Sequence, residues 1–127
     1  MIYGIGVDLV RVPRIATALL RFGERFAKRI LSATELQAYL QTPRRAEFVA
    51  KRFAAKEAWV KALGTGFRGG LSWREIEIRN DSLGKPYIVC VGRAQEMLTQ
   101  RGIASSYLSL SDEEPFAIAF VVLLLRT

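Results

Sequence analysis

The stretch FAAKEAWVKALGTG, Phe53 to Gly66, decides how the rest of the chain is read. It is the end of a long helix that Pro43 opens, that runs from Arg44 to about Leu63, and that Gly64 stops. Glu57 and Lys61 are four residues apart and adjacent on the helix surface. The side they share also carries Ala46, Ala50, Phe53 and Ala54, the apolar side of the helix. Most Glu–Lys pairs at this spacing are ordinary surface ion pairs. A carboxylate and an ammonium on an alanine-rich side are costly unless something else requires them. The pair is therefore read as functional.

Working outward, Met1 to Val10 (MIYGIGVDLV) reads as a strand with apolar residues on both faces, hence buried. Pro13 starts a first helix with Ile15, Leu19, Phe22 and Phe26 on one stripe, which Gly23 breaks or kinks. Ser32-Ala-Thr-Glu35 has capping-box spacing and opens a second helix ending near Thr42. After the long helix and the Gly64–Gly70 loop, Leu71 to Arg79 alternates like a strand. Asn80–Pro86 is a turn, Tyr87 to Val91 a strand, and Ala94 to Gln100 a helix. Two closing strands, near Ser106–Ser111 and Phe116–Arg126, are joined across Asp112–Pro115. No linker or repeat divides this order. It predicts a single α+β domain over residues 1–127, with an antiparallel-leaning sheet and the long helix packed on it.

Composition narrows the chemistry. The chain has 127 residues, half of them hydrophobic, so one domain with a real core is expected. The net charge of +7 favours a polyanionic partner: nucleic acid, anionic membrane, phosphate-rich ligand or acidic protein. Histidine is absent, which removes histidine triads, histidine metal sites and imidazole bases. The lone Cys90 stands in an apolar run and reads as a small core residue. No signal peptide opens the chain, and Phe116–Leu125 is too short to span a bilayer as a helix, so a soluble cytoplasmic protein is expected.

Three further features bear on function. Asp8 shares a strand face with Gly4 and Gly6. Taken alone it reads as a strand-end aspartate facing water, yet an acid flanked by glycines also suits magnesium, which takes one or two carboxylates plus phosphates and water. The Gly64-Thr65-Gly66 loop offers backbone N–H groups to a phosphate, although the Walker pattern fails because Gly70 stands where the lysine belongs. From Arg11 to Arg29 there are six basic residues (Arg11, Arg14, Arg21, Arg25, Lys28, Arg29) against Glu24, a one-sign stripe suited to an acidic partner.

Four segments in this order, GIGVDLV, FAAKEAWVKALGTG, IEIRNDSLGKP and YLSLSDEEPFAIA, resemble holo-acyl-carrier-protein synthase, the small bacterial class of phosphopantetheinyl transferase. The resemblance covers essentially the whole chain. It implies transfer of phosphopantetheine from coenzyme A to a serine of acyl carrier protein, in fatty acid biosynthesis. It places Mg²⁺ on Asp8 and Glu57, phosphate on Lys61 and on Gly64, Thr65 and Gly66, and the nucleotide near Lys56, Lys85 and Pro86. It also implies that Arg14, Arg21 and Arg25 grip the acidic carrier protein, Arg14 and Arg21 matching best, and that the chain forms a homotrimer with shared active sites. Many family members carry a histidine in the last hairpin that helps hold the nucleotide; Ser109 to Glu113 has none here.

On this reading Glu57 and Lys61 carry the chemistry. Either Glu57 or a metal-bound water takes the serine proton, and Lys61 stabilises the transferring phosphoryl oxygens. A nucleic-acid binder is the competing class, since its binding would have the same salt sensitivity. Against it, no aromatics interleave with the basic stripe as single-strand readers need. A structural subunit that kept the fold and lost catalysis is a further alternative, and the intact Asp8, Glu57 and Lys61 argue against it.

Overall fold

The computed structural model describes residues 1–127. The order is β1 (Ile2–Arg11), α1 (Val12–Phe22), α2 (Glu24–Ile30), α3 (Ala33–Gln41), α4 (Arg45–Leu63), a short 3-10 turn (Trp73–Glu75), β2 (Ile76–Asn80), β3 (Pro86–Cys90), α5 (Gly92–Gln100), β4 (Ile103–Glu113) and β5 (Phe116–Leu125). All strand pairing is antiparallel: a three-stranded sheet in the order β1-β5-β4 and a separate β2–β3 hairpin.

The α4 helix lies across the three-stranded sheet, and small residues on both sides allow a close approach. Ala50, Ala54, Ala58 and Ala62 of α4 are buried, as are Ala117, Ala119, Val121 and Leu123 of β5. At Gly4 and Gly6 the strand practically touches the helix backbone. A Cβ on Gly6 would overlap the Ala58 carbonyl oxygen and lie 2.7 Å from Ala62 N; one on Gly4 would overlap the Ala62 carbonyl. The two glycines thus do more than leave room for Asp8. They let β1 seat on α4 and carry Asp8, two residues on, up against the helix.

The capping box forms as expected. Ser32 Oγ accepts from Glu35 N at 3.2 Å, and Ser32 N donates to Glu35 Oε1 at 2.9 Å. Gly23 does break the first helix, dividing it into α1 and α2. Three expectations need revision. Leu71–Arg79 is not one strand, because a capped 3-10 turn at Trp73–Glu75 precedes β2. Phe22 is 54% exposed and does not join the core stripe. The first strand is buried on one face only, with Ile5, Val7 and Leu9 each more than half exposed on the other. Alternation of apolar residues on both faces is what a covered strand shows, and in the single chain only α4 covers it. Cys90 packs against the core without being fully buried; burial and the nearby Glu75 push its thiol up to about 12, which leaves it unreactive.

Candidate active site

Two elements bring the central charges together. Asp8 pairs with Ala119 in the β1–β5 ladder, which turns its side chain toward α4. There Lys61 Nζ donates to Asp8 Oδ1 at 3.0 Å and to the Val7 carbonyl at 3.1 Å. The Asp8 side chain is 15% exposed and that of Lys61 53%, so the pair sits at the mouth of a crease and not in the core. Glu57, one turn back on α4, is half-buried. Its carboxyl is pushed above the ordinary 4.5, first by burial and then by the negative charge of Asp8, against the opposing pull of Lys61 and Arg14. Glu57 and Lys61 therefore stand at the margin of the apolar face, with the alanines behind them.

Arg14 acts on Glu57 in a way that sequence reading missed. Its guanidinium lies 5.9 Å from the centre of the Phe53 ring, and Phe53 precedes Glu57 by four residues. The clue was available, since Phe53, Glu57 and Lys61 form one i, i+4 stripe, but nothing in the sequence shows where α1 crosses it. Arg21 lies along the neighbouring Phe22 ring, and Arg25 lines an open groove with Phe22, Phe26 and Arg29.

The Gly64–Gly66 loop follows Lys61 directly, with Gly64 closing α4 in the left-handed conformation (φ 90°). Lys56 is not where the family resemblance puts it. It is fully buried on the far side of α4, donating from Nζ to Glu35 Oε1 and to the Ile30 carbonyl, both at 2.6 Å. An ammonium in the interior has to be satisfied internally, and this one is committed to holding α3 on α4.

Lys85 and Pro86 are not brought to Asp8, Glu57 and Lys61 either. Pro86 helps line an open groove of about 350 Å³ with Arg44, which precedes α4, and with Glu47, Lys51 and Arg52 on its first half. Lys85 lines a neighbouring hollow with Tyr87 and Tyr107. Ten residues of helix separate Lys51 from Lys61, roughly 15 Å. The basic character of this groove was legible as the cluster Arg44, Arg45, Lys51 and Arg52, which the sequence reading did not single out.

Can the acidic pair hold a cation? No group of three or more potential metal-ligating residues occurs in the chain. Asp8 and Glu57 offer hard oxygen donors, and their two negative charges act on one another across the β1–α4 contact. Two carboxylates without further protein ligands fit an ion that takes its remaining ligands from phosphate and water.

Asp8, Glu57 and Lys61 thus meet where β1 seats on α4, and the Gly64–Gly66 loop follows directly. The chain matches the model of the 4'-phosphopantetheinyl transferase superfamily over residues 4–121. A holo-[acyl-carrier-protein] synthase of Nitrosomonas eutropha is 50% identical over 123 residues, covering 97% of this chain and 98% of that relative. The crystal structure of the holo-[acyl-carrier-protein] synthase from Neisseria meningitidis superposes with a TM-score of 0.93 at 47% identity, covering 97% of this chain and 98% of that one. The Helicobacter pylori holo-[acyl-carrier-protein] synthase, in complex with coenzyme A, superposes with a TM-score of 0.82 at 34% identity over 94% and 98% of the two chains. This chain belongs to the holo-[acyl-carrier-protein] synthase family of that superfamily.

Proposed function

We propose that the chain transfers 4'-phosphopantetheine from coenzyme A to a serine of apo acyl carrier protein, releasing adenosine 3',5'-bisphosphate, with Mg²⁺ as its cofactor. The observation that carries the metal and site assignments is the convergence of Asp8, Glu57, Lys61 and Arg14 on one crease. Magnesium bound by Asp8 and Glu57 would supply positive charge to the diphosphate oxygens. The serine oxygen forms a bond to the phosphorus bearing pantetheine, and the phosphorus–oxygen bond to the nucleotide half breaks. Lys61, half in solvent, can leave Asp8 for the transferring phosphoryl oxygens. Backbone N–H groups of Gly64, Thr65 and Gly66 extend the anion site beyond it. Glu57 is the side chain of this set that would take the serine proton.

Arg14, Arg21 and Arg25 form the docking edge for the acidic carrier, which brings its serine in beside Glu57. The cytoplasm, where coenzyme A and carrier protein meet, is the proposed location; no helix is long and apolar enough to cross a membrane.

The homotrimer with shared sites is part of the same reading, and two observations support it. One face of the three-stranded sheet presents Ile5, Val7, Leu9, Tyr107 and Phe120, each 43–58% exposed, an apolar surface that favours a partner subunit. The groove holding Pro86 and three cations is set apart from the Asp8 crease, so a neighbouring copy would bring its own groove to complete the nucleotide site. Incubating the protein with coenzyme A, Mg²⁺ and apo carrier protein should add the mass of phosphopantetheine to the carrier. Chelation should stop the transfer, and Glu57→Gln should slow it by about 10²-fold or more. Transfer at an unchanged rate in the chelated or Glu57→Gln protein would refute the metal and site assignment.

A further inference from the structure

The glycine loop after α4 is fixed from outside the charged stripe. Around Gly64, Gly66 and Gly70 the space a side chain would fill is open to 4 Å. Hydrogen bonds from Arg68 N to Gly66 O and from Leu71 N to Arg68 O shape the loop internally without tying it to its neighbours. Two long-range anchors do that. Arg93 Nε donates to the Gly69 carbonyl at 2.9 Å, and Phe67 stacks on Trp73 with ring centres 4.0 Å apart and planes 22° from parallel.

Trp73 also stacks on Phe53, at 5.0 Å and 23°, and Phe53 carries the Arg14 guanidinium on its ring. A continuous ladder Phe67–Trp73–Phe53–Arg14 thus joins the loop to α1 through Phe53, one turn before Glu57 on α4. Trp73 is its middle rung. It is only half-buried, whereas the other tryptophan, Trp59, is wholly inside the core. The turn that presents Trp73 is itself clamped: Glu75 accepts from Ser72 N and from Arg93 N, both at 2.9 Å. The Arg93 anchor and the turn that bears Trp73 are therefore tied to each other.

We propose that Trp73 is a positioning residue that sets the Gly64–Gly66 backbone, through Phe67, for the anionic part of coenzyme A. This rests on the transferase reading above. Trp73→Leu keeps an apolar side chain and removes both stacks, each worth roughly 2- to 12-fold in an equilibrium. The KM for coenzyme A, and its Kd by calorimetry, should rise about tenfold in Trp73→Leu, with kcat and the carrier KM within about threefold. Phe67→Ala should reproduce that pattern, and it decides the matter if Trp73→Leu does not fold. Trp73→Phe, which can still stack, should return to near wild type. Coenzyme A should change the tryptophan emission of the wild type and leave Trp73→Phe silent, because Trp59 is shielded. Unchanged coenzyme A affinity in both stack-breaking variants overturns the proposal, as do equal losses in every parameter that Trp73→Phe does not relieve. In either case a wild type that transfers leaves the enzymatic reading standing; a wild type that neither binds coenzyme A nor transfers overturns both.

Discussion

Replacing Gly6 by alanine tests the claim that a backbone-to-backbone contact builds the site. A Cβ at this position would stand 2.7 Å from Ala62 N, where ordinary contact begins at 3.4 Å, and would overlap the Ala58 carbonyl more severely still. Relief from the nitrogen alone needs about 0.7 Å of strand retreat, and both obstructing atoms are helix backbone that cannot rotate away. Overpacking of this kind costs about 3 kcal/mol, the upper end of the usual range, and should lower Tm by roughly 10 °C for a chain of this length. Activity should fall further than stability suggests. Retreat of β1 carries Asp8 away from Lys61, and a misplacement near 1 Å can cost about 10²-fold in rate. Thermal denaturation and the carrier mass-shift assay at a temperature well below the variant's midpoint separate the two effects. Adding Ala58→Gly should not rescue the variant, because the offending atom is the carbonyl. A Gly6→Ala protein melting within 2 °C of wild type and transferring at its rate, or one rescued by Ala58→Gly, would refute the argument.

Other perturbations follow from the same structure. Lys56→Met leaves the Glu35 carboxylate buried without its ammonium; it should destabilise by about 3–5 kcal/mol, seen as a Tm drop of 10 °C or more, and adding Glu35→Gln should recover part of it. Glu57 is held above its ordinary 4.5, so its contribution to stability is present below that pH and is lost as pH rises through the shifted value. In metal-free buffer Glu57→Gln should therefore melt higher than wild type at pH 7, with the difference vanishing in acid. Arg14→Gln removes one of the two cations opposing that shift, so in metal-free buffer the Glu57 carboxyl, followed by NMR, should titrate at higher pH. Reversing Arg14 and Arg21 to Glu should raise the KM for carrier protein strongly while changing that for coenzyme A much less, with added salt weakening the wild type more than the variant.

Much of the fold was legible because its signals are local. The capping box at Ser32–Glu35, the stop at Gly64 and the turn at Asn80–Pro86 are each set by a few neighbouring residues, and each forms. The roles of individual charges were less legible. Lys56 and Lys61 are both lysines on one helix, five residues apart, and periodicity alone does not say which of them meets a buried carboxylate. The deciding partner, Glu35, lies 21 residues upstream of Lys56 and looked fully employed as a capping residue. It serves the cap and the ion pair together, and accepts from Ile78 N at 2.8 Å as well. Asp8 and Glu57 stand out in the sequence as candidates because each acid lies among glycines or alanines, and around Asp8 those glycines serve to seat β1 on α4. The Trp73 ladder left no such mark, since aromatics spaced this far apart in sequence meet only through the tertiary fold.

The bare sheet face and the divided set of cations pose one physical problem. A strand such as β5 is apolar on both sides. Its inner side, Ala117 to Leu123, is covered by α4; its outer side, Phe116 to Leu124, centres on Phe120, 43% exposed. The groove with Pro86 and Lys51, the latter roughly 15 Å from Lys61 along α4, holds three cations, each facing one carboxylate: Arg44 with Glu47, Lys51 with Asp112 and Arg52 with Glu35. A single copy thus leaves apolar surface wet and basic side chains in two places. On the reading proposed above, burying Ile5, Val7, Leu9 and Phe120 against other copies resolves both at once, because the same association brings one copy's groove to another copy's crease. A charge on that face should then cost assembly and activity together. Phe120→Arg should shift light scattering from a trimer to a monomer mass at micromolar concentration, and transfer should fall with the trimer fraction and not with Tm. A Phe120→Arg protein that is monomeric and fully active would show that the crease of one chain suffices.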